Sequence, residues 1–217
     1  MRTIKANKKA IEIAVQYLRA GKSVVYPTDT AYGLGVDATN VKAVRKLYKI
    51  KERTHKQPVH VIVADLKMAR KYATMNALET KLFRKFLLGP LTLILSREGR
   101  GKAMGVLSAG TGTIGIRIPK NAIALTLVKK LGKPITTTSA NPAGGPTPYS
   151  IKDSLRQFSG KKHQPDLFVD ADRLPRRKPS TIVSVKGNKI KVIREGPISK
   201  SQILKRLRPF RQAQGGE

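Results

Sequence analysis

The side chains of this chain that could do chemistry fall into four short clusters. PTDTAYGLG (Pro27 to Gly35) packs Thr28, Asp29, Thr30 and Tyr32 into five positions directly after an apolar stretch. Lys51-Glu52-Arg53 follows, with Gln57 close behind. TIGIR (Thr113 to Arg117) goes with TTTSANPAGGPT (Thr136 to Thr147), and STI (Ser180 to Ile182) pairs with IREG (Ile193 to Gly196). Ser, Thr, Asn and Gly also serve turns for purely local reasons, so any one cluster alone has that simpler reading. All four fall at the ends of apolar strand-like runs, where open α/β sheets bind ligands. Their groups are hydroxyls, amides and cations, suited to holding a ligand and neutralising its charge. None has the look of a covalent nucleophile.

Other chemistries are excluded by composition and spacing. The chain has no cysteine, so thiolate nucleophiles, disulfides and cysteine-ligated metals are ruled out. His55, His60 and His163 do not stand in metal-ligand spacing with one another. Gly110-Thr111-Gly112-Thr113-Ile114-Gly115 spells G-x-G-x-x-G, but a dinucleotide fingerprint must open a helix, and IRIP, a strand, follows. A Walker A loop and a G-x-S-x-G elbow are both absent.

The elements that must position the clusters alternate in type. Asn7 opens a helix to Ala20 with Ile11, Ala14, Val15 and Leu18 on one face, and Gly21 stops it. Val24 to Tyr26 reads as a strand, Asn40 opens a helix, and Val59 to Val63 is a strand. Asp65 and Asn76 cap two further helices, the second stopped at Gly89-Pro90. Leu91 to Ser96 and Thr113 to Ile118 are strands, and the Gly-rich stretch between them reads as a loop or small hairpin. Asn121 caps a helix through Leu131; Ser150 and Asp153 begin another; LFVDA is a strand. STIVSV, a Gly187-Asn188 turn and KIKVIR form a hairpin, and a basic helix follows Ser199. The expected class is α/β, with an open, twisted, mixed and largely antiparallel sheet flanked by helices around a positively charged concave cleft. Residues 1–207 form one expected domain, and 208–217 a basic, polar, disordered tail. The long polar loops Arg97–Gly112 and Asn141–Pro148 are the expected walls of a site.

The charge balance points to polyanions. Forty-four Lys and Arg against 13 Asp and Glu give a formal charge of +31 in 217 residues, which favours nucleotide or nucleic-acid partners. A cytoplasmic protein without a membrane span is expected, because no run of about 18 apolar residues or leader stands out.

The clusters, in their order and spacing from Ser23 to Ile198, resemble the YrdC-like family of threonylcarbamoyl-adenylate synthases. The matching stretches are YPTDTAYGLG, KIKERTHKQPVHVIV, GPLTLIL, TIGIRIP, TTTSANPAGG and STIVSV followed by IREGPI. The resemblance implies an enzyme that condenses L-threonine, bicarbonate and ATP, releasing pyrophosphate. The product feeds threonylcarbamoyl modification of the tRNA adenosine beside the anticodon, through downstream transferase proteins. By the same resemblance Thr30, Arg117, Thr137 and Ser180 contact threonine. Lys51, Arg53, Gln57, Thr113, Ser139, Asn141, Thr147 and Arg194 serve ATP, with Lys51 and Arg53 neutralising the departing pyrophosphate. Magnesium enters with ATP. The chain departs from the family where Ile62 replaces a histidine, leaving open whether His60, two residues earlier on the same strand face, substitutes for it. Thr54 replaces a proline, and Ser184 an aspartate. About 20 residues follow the REG strand, as in the short form. The competing reading is a non-catalytic module binding duplex RNA or tRNA through KAVRKLYKIKERTHK, RLPRRK and KRLRPFR. Carbamoyl transfer, as in hydrogenase-maturation enzymes, would require the cysteine-rich zinc segments this chain lacks.

Overall fold

The computed structural model describes residues 1–97 and 101–207. In chain order the elements are β1 (Arg2–Lys5), α1 (Lys8–Arg19), β2 (Val24–Pro27), β3 (Tyr32–Gly35), α2 (Val41–Lys51), β4 (His60–Ile62), α3 (Leu66–Arg70), β5 (Ala73–Thr74), α4 (Ala77–Phe86) and β6 (Leu91–Arg97). Then come α5 (Lys102–Leu107), β7 (Thr113–Arg117), α6 (Ala122–Leu131), β8 (Ile135–Ser139), α7 (Ile151–Phe158), β9 (Leu167–Asp170), β10 (Thr181–Lys186), β11 (Lys189–Arg194) and α8 (Lys200–Leu207).

The helix starts follow from single side chains. Asn7, Asn40, Asp65, Asn76, Asn121 and Ser150 each accept a hydrogen bond from the backbone N–H three residues on, satisfying a donor the helix cannot. At Asn76 and Ser150 the acidic residue three places later returns the bond and closes a capping box. Three features differ from expectation. Arg2–Lys5 is a strand paired in parallel with β9. Tyr32–Gly35 is a strand too, so the threonine-rich turn is the bend of a β2–β3 hairpin. The stretch expected as a loop or hairpin between β6 and β7 contains α5, whose Ala103, Met104 and Leu107 are buried; residues 98–100 lie outside the described part. The expected disordered tail, 208–217, also lies outside the described residues.

One mixed sheet runs in the order β1-β9-β2-β3-β8-β4-β7-β6-β10-β11, with β5 paired to β6 off this path. The β3–β8, β8–β4, β7–β6 and β10–β11 pairs are antiparallel; β4–β7 and β6–β10 are parallel. Side chains alternate across the two faces. One face of β6 and β7 sends Leu91, Leu93, Leu95, Ile114 and Ile116 into the larger core, which α2, α4, α5 and α7 cover. On the other face α1 and α6 pack Ala14, Val15, Leu18, Leu127 and Val128 onto Val24, Tyr26, Ile62 and Ile135 in a second core. Burying each such aliphatic side chain contributes about 1.5–3 kcal/mol. The α1–α6 pair covers only part of this second face. Past it His60, Thr92, Arg117 and Thr137 on strands β4, β6, β7 and β8, with Thr28 at the β2–β3 bend, line an open cleft.

Two glycines permit this packing. A Cβ on Gly115 would come within 2.3 Å of the His60 ring, which lies across it. A Cβ on Gly196 would stand 2.2 Å from the Pro179 carbonyl oxygen, where the end of the β10–β11 hairpin returns to the start of β10. There the obstruction is backbone and cannot rotate away. Gly196→Ala is expected to lower stability by about 1–3 kcal/mol, read as a lower urea midpoint at unchanged m-value.

Candidate active site

The cleft has a volume of about 480 Å³. Of the expected site residues, Thr30, Arg53, Arg117, Thr137, Ser139, Thr147, Ser180 and Arg194 line it; Lys51, Gln57, Thr113 and Asn141 do not. No carboxylate stands among the described lining residues.

The hairpin bend forms one wall. The Thr28 hydroxyl donates to the Ala31 carbonyl at 2.7 Å and lies 3.2 Å from the Thr30 hydroxyl, so the first threonine ties the bend and the second is held against it. Tyr32, at the start of β3, also lines the cleft, and its phenol is fixed to the segment after β9. It donates to the Asp172 carbonyl at 2.7 Å and accepts from Ala171 N–H at 2.9 Å.

Arg117 projects from the end of β7 toward the same bend. Its Nη2 meets Asp29 Oδ1 at 2.6 Å, and its Nη1 reaches Thr30 Oγ1 at 3.5 Å. Both charged side chains are buried, 6% and 3% exposed. The pair is monodentate: Arg117 Nε and Asp29 Oδ2 are buried without a partner among the described residues. Asp29 thus orients the guanidinium without using up its donors.

Two further arginines are anchored through main-chain oxygens. Arg53 Nη2 donates to the Pro58 carbonyl at 3.0 Å. Arg194 donates to the Ser180 carbonyl through Nε (3.1 Å) and Nη2 (2.8 Å), and the Ser180 hydroxyl lies 2.9 Å from that of Thr92. Burial lowers the affinity of both guanidiniums for their protons, and Arg117 adds to the effect at Arg194. The guanidinium group remains charged in proteins nonetheless. His60 lies in the cleft among these cations. Burial first, then Arg194, Arg53 and Arg117, push its pKa from 6.5 down to about 4, so at neutral pH it is an uncharged imidazole.

Lys51 was expected beside Arg53 at a phosphate, and the structure separates the two. Glu52 between them takes the left-handed conformation (φ 50°), which ends α2. Lys51 turns inward: its ammonium donates to the Ser139 carbonyl at 2.7 Å and to the Asn141 carbonyl, with Asn141 Oδ1 at 3.4 Å. Its own carbonyl accepts from Ala143 N–H at 2.7 Å. Burial, then the nearby Arg53, pull the amine down to about 7. Against this, three oxygen acceptors match the three donors of an ammonium. Asn141 is buried and donates to the Pro142 and Gly145 carbonyls at 2.9 and 2.6 Å, shaping the turn that leads to Thr147. Lys51 and Asn141 therefore build the wall that presents Ser139 and Thr147. Gln57 is exposed, and its carbonyl accepts from the Tyr48 hydroxyl at 3.0 Å. Thr113 lies on the Arg117 face of β7 but farther along it, its hydroxyl 2.9 Å from that of Thr111. Of the two loops expected as walls, only the one holding Thr147 contributes lining residues among those described.

Thr92 and Arg177 line the cleft without having been singled out beforehand. Thr92 had a signal: a hydroxyl between Leu91 and Leu93 must point to the opposite face from theirs. Arg177 had none, being one cation of RLPRRK. It donates to the Asp29 carbonyl at 3.4 Å.

The Sua5/YciO/YrdC family pattern, described as Telomere recombination, matches residues 16–196. A Methanocaldococcus jannaschii protein provisionally named a threonylcarbamoyl-AMP synthase is 39% identical over 193 residues, covering 88% of this chain and 87% of that one. The threonylcarbamoyl-AMP synthase of Bacillus subtilis is 32% identical over 92% of this chain, which spans 57% of its length. Among solved structures, Pyrococcus abyssi Sua5 complexed with L-threonine superposes with a TM-score of 0.86 at 28% identity, over 95% of this chain and 60% of that one.

Two outcomes follow from the cleft's geometry. Between pH 6.5 and about 4 the unfolded chain binds the proton that folded His60 refuses. Its contribution to stability is therefore full above pH 6.5 and falls by about 3 kcal/mol as the pH drops toward 4. Urea unfolding of wild type and His60→Gln across this range is expected to show a shallower slope in the variant. Lys51→Met leaves buried carbonyls without donors and is expected to cost roughly 1–3 kcal/mol, measured by the same unfolding at pH 7.

Proposed function

The chain belongs to the Sua5/YciO/YrdC family, and from that premise we propose that it makes threonylcarbamoyl-AMP from L-threonine, bicarbonate and ATP for tRNA modification. The observation that carries this reading is the convergence of Arg53, Arg117 and Arg194 with Thr30, Thr137, Ser139 and Ser180 on one cleft. Hydroxyls and one oriented guanidinium suit an amino acid; the other two cations suit a triphosphate.

In this reading Arg117, steadied by Asp29, takes the threonine carboxylate through the donors left free by the monodentate pair. Thr30, Thr137 and Ser180 surround the rest of the amino acid. The threonine amine bonds to the carbon of bicarbonate-derived CO₂ and gives up a proton. One carbamate oxygen then attacks the α-phosphorus, and the bond from that phosphorus to the oxygen bridging to the β-phosphate breaks, releasing pyrophosphate. Arg53 and Arg194 neutralise charge on the departing group, more in the transition state than before it. Catalysis is then largely positioning and charge neutralisation. Magnesium arrives as part of the MgATP substrate, held by phosphate oxygens; Asp29, whose neighbours Thr28 and Thr30 line the cleft, is already engaged by Arg117. A neutral His60 adds no further positive charge to the site and leaves a ring nitrogen able to accept a hydrogen bond. Cytoplasm, where ATP and tRNA meet, is the location that goes with this chemistry.

Purified protein given threonine, bicarbonate and MgATP is expected to release pyrophosphate well above a control without threonine; equal release in both would end the proposal. Arg117→Ala should raise the KM for threonine at least tenfold, and Arg53→Ala should mainly raise that for ATP. Identical effects of both variants on both substrates would contradict the division of roles.

A further inference from the structure

A second concavity lies on the other side of the sheet. The buried faces of α3 and α4 (Ala69; Leu82, Phe83 and Phe86) join the larger core, opposite the cleft. Outside that core a groove of about 560 Å³ is lined by four cations, Arg70, Lys81, Arg84 and Lys85, with Met75 and Ala77 as its apolar lining. Two of the cations have a structural use. Lys81 donates to the Leu207 carbonyl at 2.9 Å and Lys85 to the Arg206 carbonyl, satisfying acceptors at the end of α8. Arg70 and Arg84 form no ion pair among the described residues. The single acid of α4, Glu79, is buried and accepts from Asn76 N–H at 2.8 Å, and it is not among the side chains that line the groove.

We propose that this groove binds the phosphate backbone of RNA. Along α4, positions 81, 84 and 85 share one stripe, with neighbours three or four residues apart standing about 5–6 Å from each other, a spacing suited to successive phosphates on a strand. Arg70, at the end of α3, lines the same groove. An anionic membrane would need a broad apolar fringe to insert, and Met75 and Ala77 provide little of one. The contact stands on the far side of the sheet from the reaction and holds RNA without acting on it, so it does not depend on the catalytic reading.

The test is fluorescence anisotropy of a labelled tRNA transcript across a salt series, with wild type, Arg70→Glu/Arg84→Glu, and a control, Lys9→Glu/Lys129→Glu, which makes the same charge change on α1 and α6. The groove variant is expected to lose at least tenfold in affinity, to flatten the salt dependence by about two phosphate contacts, and to release pyrophosphate at the wild-type rate. The control should lose far less. Equal loss in both variants would overturn the proposal in favour of diffuse attraction. Loss of binding to phosphatidylserine vesicles with tRNA binding intact would overturn it in favour of a lipid surface. If Arg70→Glu/Arg84→Glu melts below wild type, Arg70→Gln/Arg84→Gln is measured in its place, with the same outcomes deciding.

Discussion

Gathering several guanidinium groups in one partly buried cleft is the constraint around which the rest of this structure is arranged. Like charges brought out of water repel, and each loses hydration. The protein offsets this with very little negative charge: Asp29 on Arg117, and main-chain carbonyls of Pro58 and Ser180 on Arg53 and Arg194. Carbonyl anchors fix a cation in place without cancelling its charge, so Arg53 and Arg194 keep theirs beside the cleft. The remaining lining follows the same logic. Hydroxyls contribute donors and acceptors without net charge, and the one imidazole is driven neutral by burial and by its arginine neighbours.

Much of the fold was legible because its signals are local. Six helix starts rest on Asn, Asp or Ser side chains bonded three residues ahead, and the β10–β11 turn on Gly187-Asn188. What escaped depends on distant partners. β1 has one buried-leaning residue, Ile4, and is a strand because β9 lies beside it. β3 is YGLG, poor in strand formers, yet wholly buried between β2 and β8. The helix α5 is short and glycine-bearing, and packing of Ala103, Met104 and Leu107 holds it. At the site, eight of the twelve expected side chains meet at the cleft. Arg177 stayed hidden because one arginine in a basic run looks like another until the backbone places it.

Lys51 and Arg53 show why spacing alone underdetermines a role. Two cations two residues apart look like a matched pair, but one left-handed residue between them separates the roles: Arg53 faces the cleft, and Lys51 is buried against the chain that carries Ser139 and Asn141. The inward lysine joins the end of α2 to the segment after β8, although the two do not pair as strands. The departures at Thr54, Ile62 and Ser184 leave this arrangement intact. Ile62 is fully buried in the second core, and His60 occupies the cleft two residues before it.

Among the described residues, β1 and β11 each have a neighbour on one side only. Both are studded with cations: Arg2 and Lys5 at one edge, Lys189 and Lys191 at the other, all exposed. Unsatisfied edge amides and carbonyls invite another chain to add itself as a further strand, and lysine is a common deterrent. Lys5 is paired with Asp170 and Asp172, so the like charges that an edge-to-edge approach would bring together are those of Arg2, Lys189 and Lys191. The cationic surplus thus works against strand addition at both edges of the sheet.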